Sequence, residues 1–425
     1  MKHYVKLFFK SVGTVCVCAL LGGVLLLTTF SIPTDRIEKN VAASAATFAE
    51  EGPYPELYVV RRSLLDNITD AIMLLNAAYS DDSSVLERAI EVNRLTVEGE
   101  SSVGTLVAHY ADGKGGTAVS YARYWHGYLV VLKPLLYFIT YDQIRMLNFF
   151  FVFAMATVLI AVMCRKKLGI YSIPYIISLF LIDPFAISKS LQYSSVYYIY
   201  TIASIVLILA KDYLDKSIDR LVIFFVLTGC VTSYMDFLTA PLLTFGIPAT
   251  FYLCMSKKSV KDTAKTLVYI LTAWGFGYIG MWAGKWILGT LLGNTNIIMD
   301  AVEQVLNRMS THDDGGVSFT FLGTLRRQAY NYKNPMSVVT AVYFLIAGVH
   351  FFRHDPKERL HDMKWTLYLA VCLLPVLWCL VVSNHSYVHH FFTFRMFMIS
   401  AFSGMCLITS YAVKADTLTL DEPAP

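Results

Sequence analysis

Apolar runs of close to 20 residues recur along the chain, separated by short segments in which lysine and arginine gather. A helix needs about 20 mostly apolar residues to cross the hydrocarbon layer, and cytoplasmic connections are enriched in Lys and Arg. The first run, 11–30 (SVGTVCVCALLGGVLLLTTF), follows Lys2, Lys6 and Lys10, which puts the N-terminus inside and predicts an anchor. Its flanks also suit a secretory leader, with VAASAA further on, but the stretch is long for that role. Further spans are predicted over 146–163, 170–187, 194–210, 221–237, 239–255, 267–284, 336–352, 365–382 and 396–413, several of them closed by basic residues such as Arg165, Lys166, Lys167, Lys257, Lys258 and Lys414.

About ten spans with both termini cytoplasmic satisfy the charge rule at every short connection. The expected architecture is therefore an all-α polytopic protein of the plasma membrane, a single membrane-embedded domain over 1–413 with a cytoplasmic tail, 414–425. Two long polar loops face outward, 31–126 and 285–335, and the charged turn RHDPKERLHDMK faces inward. The segment 127–140 (GYLVVLKPLLYFIT) is apolar but short and holds Lys133 and Pro134, so it reads as an interfacial or re-entrant piece.

Composition agrees with this picture. Of 425 residues, 56% are hydrophobic and only 16% charged, more apolar surface than a soluble domain requires. The net charge of +4 is small and its basic residues border the apolar runs, which gives no basis for nucleic-acid binding. All eight cysteines fall in or beside apolar segments, so neither a disulfide framework nor a thiolate metal site is expected. Nucleotide-binding glycine loops and the nucleophile elbow of α/β-hydrolases are absent.

On this topology the chemically unusual residues collect on the outer side. The first loop carries LDNITDAIML (64–73) with Asp66 and Asp70, and SYARYWHGY (120–128) with Arg123 and His126. The fifth span ends in SYMDFLTAP, placing Asp236 near the membrane boundary, and SNHSYVHHFFTFR (383–395) brings His385, His389, His390 and Arg395. Ionisable groups at that depth are costly and mark function by default.

Each has a plainer explanation. Leu65, Ile68, Ile72 and Leu75 form a stripe that would rest on the bilayer, with Asp66 and Asp70 on the solvated side. Asp236 could be a satisfied helix end, and the aromatic residues of HHFFTFR an interfacial belt with a snorkelling arginine. Asp81 and Asp82 sit in a turn-like SDDSS setting and read as a solvated cap. Asn67-Ile68-Thr69 and Asn384-His385-Ser386 match a glycosylation pattern too common to use. His385 and His389 could share a helix face, but nothing in that loop completes a zinc site.

Acids, imidazoles and guanidiniums at a bilayer surface suit a lipid-linked donor, whose tail partitions between spans while its phosphate emerges beside Arg or His. Transfer of a sugar from that phosphate needs a carboxylate to accept the acceptor hydroxyl's proton. The general plan, one span followed by a large acidic outer loop and further loops on the same face, resembles the GT-C superfamily of integral-membrane glycosyltransferases. LDNITDAIML, YARYWHGYLVVLKPLL, SLQYSSVYYIY, YMDFLTAPLLTFGIP and NHSYVHHFFTFR are similar to a group of uncharacterised proteins from surface-polysaccharide loci of Gram-positive bacteria.

The resemblance implies a polyprenyl-phosphate-sugar donor, a glycan or lipid-linked acceptor, an inverting transfer, and a catalytic acid soon after the first span. That position falls on Asp66, with Asp70 orienting the acceptor. Because the helix holds Asp-x-x-x-Asp and lacks adjacent acids, the choice between the two and any bound divalent cation stay open. Arg123, His126, His389 and Arg395 are expected to hold the phosphate, and Asp236 to position the sugar or an arginine. The rival functions are a polymerase or ligase of lipid-linked oligosaccharides, and a flippase or solute transporter, for which Asp183 and Lys285 are the nearest midspan charges.

Overall fold

A computed structural model describes residues 2–293, 296–313, 315–353 and 363–419, side chains being described only to Tyr411. The charged turn expected at 353–364 falls largely outside these residues, as does the tail 414–425 apart from helical backbone to Thr419. Helices α1 (Lys2–Phe30) and α2 (Asp35–Glu51) lead into a compact first loop. It contains α3 (Asn67–Ala78), α4 (Val85–Glu91), α5 (Ser102–Tyr110) and a small antiparallel hairpin, β1 (Arg94–Thr96) with β2 (Thr117–Val119), in the register Leu95 opposite Ala118. In α2 the buried positions Ile37, Val41, Ala45 and Phe48 recur every three to four residues, so one face packs inward while the other stays polar.

The bundle follows: α6 (Leu129–Phe138), α7 (Tyr141–Arg165), α8 (Ser172–Leu181), α9 (Pro184–Lys189), α10 (Leu191–Leu209), α11 (Lys211–Leu214), α12 (Ile218–Met235), α13 (Leu243–Met255) and α14 (Val260–Leu292). After them come α15 (Ile297–Met309), α16 (Phe321–Tyr330), α17 (Pro335–Arg353), α18 (Trp365–Val381), α19 (Ser383–Val388), α20 (His390–Thr393) and α21 (Met398–Thr419). Seven helical stretches among the described residues are long and apolar enough to cross a membrane, and Leu129–Phe138, Gly169–Leu181, Leu243–Met255 and Trp365–Val381 are shorter apolar helices. The architecture is nearly all-helical, consistent with a polytopic protein.

Helices α12 and α14 pack backbone to backbone. A Cβ on Gly229 would lie 2.1 Å from the Trp274 carbonyl oxygen, and one on Gly277 would lie 2.1 Å from that of Val226. Only glycine at both positions permits that approach.

Two expectations need correction. The run 170–187 is not one span: the chain breaks at Asp183, which adopts φ 67°, because Pro184 lacks an N–H to continue the ladder. The Asp183 carboxylate instead accepts from the amides of Phe185 and Ala186 and starts α9. The run 267–284 extends to Leu292, since Lys285 donates at 2.8 Å to the carbonyl of Ile90 and so stays inside the helix.

Hydrogen bonds show which helix ends meet. The first loop is tied to Tyr141, Leu191, Tyr234, Lys285 and Arg395. At the other end of the bundle Lys10 pairs with Asp219, and Lys258 with Asp215.

Candidate functional site

The strand-like approach to α3 is pinned by backbone bonds from Leu65 to Pro55 and from Asn67 to Pro53. Asn67 donates to Glu51 and Gly52, and Arg145 donates to both Glu51 (2.7 Å) and Asn67 (2.9 Å). On this platform Asp66 is the N-cap of α3: its carboxylate accepts from the Thr69 amide at 3.1 Å and the Thr69 hydroxyl at 2.8 Å. The side chain is buried at 3% exposure. Burial pushes its carboxyl up to about 6; the Thr69 bonds oppose this, the Asp70 charge adds to it and the Arg395 guanidinium opposes it. The nearby Tyr54 phenol is pushed up to about 12, by burial first and then by Asp66.

Asp70 faces elsewhere. Fully buried, it accepts from Tyr141 Oη (2.6 Å), Ser190 Oγ (3.3 Å) and the amides of Leu191 (3.0 Å) and Gln192 (3.1 Å). It thus caps α10 from outside the helix, and its carboxylate has no open approach for an acceptor; the expected orienting role does not fit this geometry. The stripe expected to lie on the bilayer is also corrected. Leu65 and Leu75 are buried in protein and Ile68 and Ile72 half-buried, because α2, α5, α6 and α10 enclose α3.

Arg395 is buried beside this region. It donates to the carbonyls of Phe391 and Arg62, each at 3.2 Å, and lies 3.8 Å over the Tyr193 ring, leaving its Nε without a partner. Arg62 in turn sits 3.8 Å from Asp183, which also receives the Tyr58 hydroxyl. Arg395 therefore backs Asp66 and does not line an open phosphate site.

A second centre is a groove of about 450 Å³ walled by Trp274, Tyr278, Trp282 and Trp286 of α14 and by Trp378 of α18. The exposed apolar residues Ile279 and Val381 border it, so it faces the surroundings of the bundle laterally. Two guanidiniums line it, Arg123 and Arg308. Arg123 pairs with the exposed Asp300 at 3.1 Å, and Trp286 Nε1 donates to its carbonyl. Arg308 donates at 3.1 Å to His389 Nε2. Because guanidinium only donates, that nitrogen is the bare one, and burial together with Arg308 pushes His389 down to about 3, so the ring is neutral.

The two centres share a wall: His389 stacks on Phe392 at 5.1 Å, while Phe391 meets Tyr54 edge-on at 5.2 Å. Asp236 lies behind the groove. It accepts from the Thr239 amide at 3.0 Å, and Leu238, two residues on, lines the groove. His385 donates through Nε2 to the Leu238 carbonyl at 2.8 Å, leaving a buried, unpartnered Nδ1.

His126 does not join the phosphate-binding set. It is buried with φ 54°, donates to the Tyr121 carbonyl at 2.7 Å, and its other nitrogen accepts from Tyr128 Oη at 3.1 Å. Desolvation pushes it down to about 3, so it is a neutral structural imidazole. Among the described residues no group of three or more His, Cys, Asp or Glu is arranged to hold a metal ion.

Of the residues singled out in the sequence, Asp66 and Arg395 lie in the first centre, Arg123 lines the groove and His389 bonds to its Arg308; sequence reasoning did not single out Arg308, Tyr54 or the aromatic wall. The wall was readable, since Trp274, Tyr278, Trp282 and Trp286 recur every four residues on one helix face. Arg308 carried no local signal. No protein-family model, curated protein or solved structure matches the chain.

Proposed function

We propose that this chain is a membrane-embedded glycosyltransferase that moves a sugar from a polyprenyl-phosphate-linked donor to a cell-surface glycan or lipid-linked acceptor. The observation that carries this reading is the laterally facing aromatic groove with Arg123 and Arg308 in its lining. Apolar walls suit an isoprenoid chain, and a pair of guanidiniums suits the phosphate that follows it.

From that phosphate the sugar would extend past Phe391 and Tyr54 toward Asp66. In a single displacement the acceptor oxygen forms its bond to the sugar's anomeric carbon as the carbon–oxygen bond to phosphate breaks. The leaving phosphate keeps the electron pair, stabilised by Arg123 and Arg308, and the acceptor's proton passes to the Asp66 carboxylate. Asp66 is suited to this because burial raises its basicity while Thr69 fixes its orientation.

The test is transfer of radiolabelled hexose from a short-chain polyprenyl phosphate by the purified protein in nanodiscs. Arg308→Gln should raise the donor KM and Asp66→Asn should remove kcat. Equal activity in all three proteins would refute the reading.

A transporter reading has one feature in its favour, the broken helix at Asp183. That acid, however, is tied to Arg62 and Tyr58 of the first loop, at the end of the bundle and away from its middle.

A further inference from the structure

Helix α15 (Ile297–Met309) divides into three faces. Ile297 and Ala301 are buried against the bundle, and Arg308 on the same side donates to His389. Asp300, Glu303 and Asn307 are exposed and form a polar face. The third face is Ile298, Met299, Val302, Leu306 and Met309, all apolar and 38% to 66% exposed. At 3.6 residues per turn these five share one sector about 100° wide. A contiguous apolar face of this kind is avoided in water and marks a contact surface.

The neighbours of this face identify what covers it. The Ile298 amide donates to Thr290 Oγ1 at 3.3 Å, so α15 starts beside the last turns of α14. There Ile287, Leu291 and Leu292 are 51%, 74% and 54% exposed, on a helix long and apolar enough to cross a membrane. At the other end of α15, Met309 belongs both to the apolar face and to the lining of the aromatic groove. A helix whose successive sides suit protein, hydrocarbon and water is built to lie in the plane of a bilayer surface. Its one cation, Arg308, is turned inward to His389, so apolar burial and not attraction to anionic headgroups would seat it. We propose that α15 docks on a lipid surface, with Val302 and Leu306 sunk among acyl chains, so that the aromatic groove opens into hydrocarbon. This docking is independent of what the groove binds.

The experiment is spin labelling of the full chain in phosphatidylcholine nanodiscs, with the exposed native thiols removed by Cys16→Ser and Cys164→Ser. Labels are placed singly by Val302→Cys, Leu306→Cys, Glu303→Cys and Asn307→Cys, all exposed positions that a folded chain tolerates. Collision rates are measured with oxygen, which concentrates in hydrocarbon, and with a water-soluble nickel chelate. The oxygen-to-nickel ratio should be at least about fivefold higher at 302 and 306 than at 303 and 307. Replacing about a third of the lipid by phosphatidylglycerol should leave those ratios within about twofold. Equal ratios at all four positions put the apolar face in water and overturn the proposal. Low rates with both reagents at 302 and 306 put protein over the face, a second copy or another chain, and overturn it equally.

Discussion

Asp66 and Asp70 stand one helical turn apart yet serve different parts of the molecule. Asp66 holds Thr69 within its own helix and sits beside Arg395 and Tyr54, whereas Asp70 is sealed against Tyr141 and the first amides of α10. Two like carboxylates at this spacing oppose each other slightly when both are exposed. Here each is compensated by its own donors.

Removing the Asp70 carboxylate should therefore cost stability. Asp70→Ala leaves two buried amides and a tyrosine hydroxyl without their acceptor, a loss of about 3 kcal/mol or more. Tyr141→Phe, which removes one neutral donor from a site with three others, should cost about 1 kcal/mol. Thermal unfolding of the purified proteins in detergent measures both. Equal unfolding temperatures for wild type and Asp70→Ala would contradict the assignment of Asp70 to architecture.

The pH dependence of transfer should have one acid limb. Asp66 acts as base only when ionised, and burial raises it to about 6. Turnover is expected to fall about tenfold per unit below pH 6 and to level off above it. His126 and His389 are held neutral by burial and contribute no limb near neutrality. A rate that rises as pH falls from 7 to 5 would contradict this.

Stability should move in the opposite direction with pH at this residue. A carboxyl raised from 3.8 to about 6 binds its proton more tightly in the folded state, so ionisation above pH 4 works against folding until pH passes 6. Asparagine caps a helix as well as aspartate does, and Asp66→Asn should be at least as stable as wild type at pH 7.5. A markedly lower unfolding temperature would mean that the ionised carboxylate stabilises α3.

The α12–α14 contact gives a test independent of the chemistry. Gly229→Ala and Gly277→Ala each place a methyl against a backbone carbonyl and should destabilise by about 2 kcal/mol or more. Gly275→Ala, in the same helix with nothing within 4 Å of its added Cβ, serves as the control and should be neutral. Unfolding midpoints in one detergent decide it.

The helical, strongly apolar character was legible because apolar runs and basic breaks report it directly, as at 11–30 and 146–163. What misled was burial. Leu65 and Leu75 looked like a surface stripe, since a helix sheathed in protein and one resting on lipid share the same 3.6-residue period. His126 looked like a ligand because composition cannot reveal that Tyr121 and Tyr128 occupy both its nitrogens. Asp183 followed by Pro184 did announce the break in 170–187, had proline's missing N–H been weighed above the hydropathy of the run. Arg308 could not be found locally, because it meets His389 only after loops far apart in sequence have folded onto one another.

The most direct test of the account is single-turnover transfer by Asp66→Asn in nanodiscs at pH 7.5, with donor affinity measured on the same preparation. The account predicts that the substituted protein folds, binds the short-chain polyprenyl-phosphate sugar within about twofold of wild type, and loses at least about a hundredfold in the transfer rate. Transfer at the wild-type rate, with binding intact, would reduce Asp66 to a helix cap and contradict the central claim.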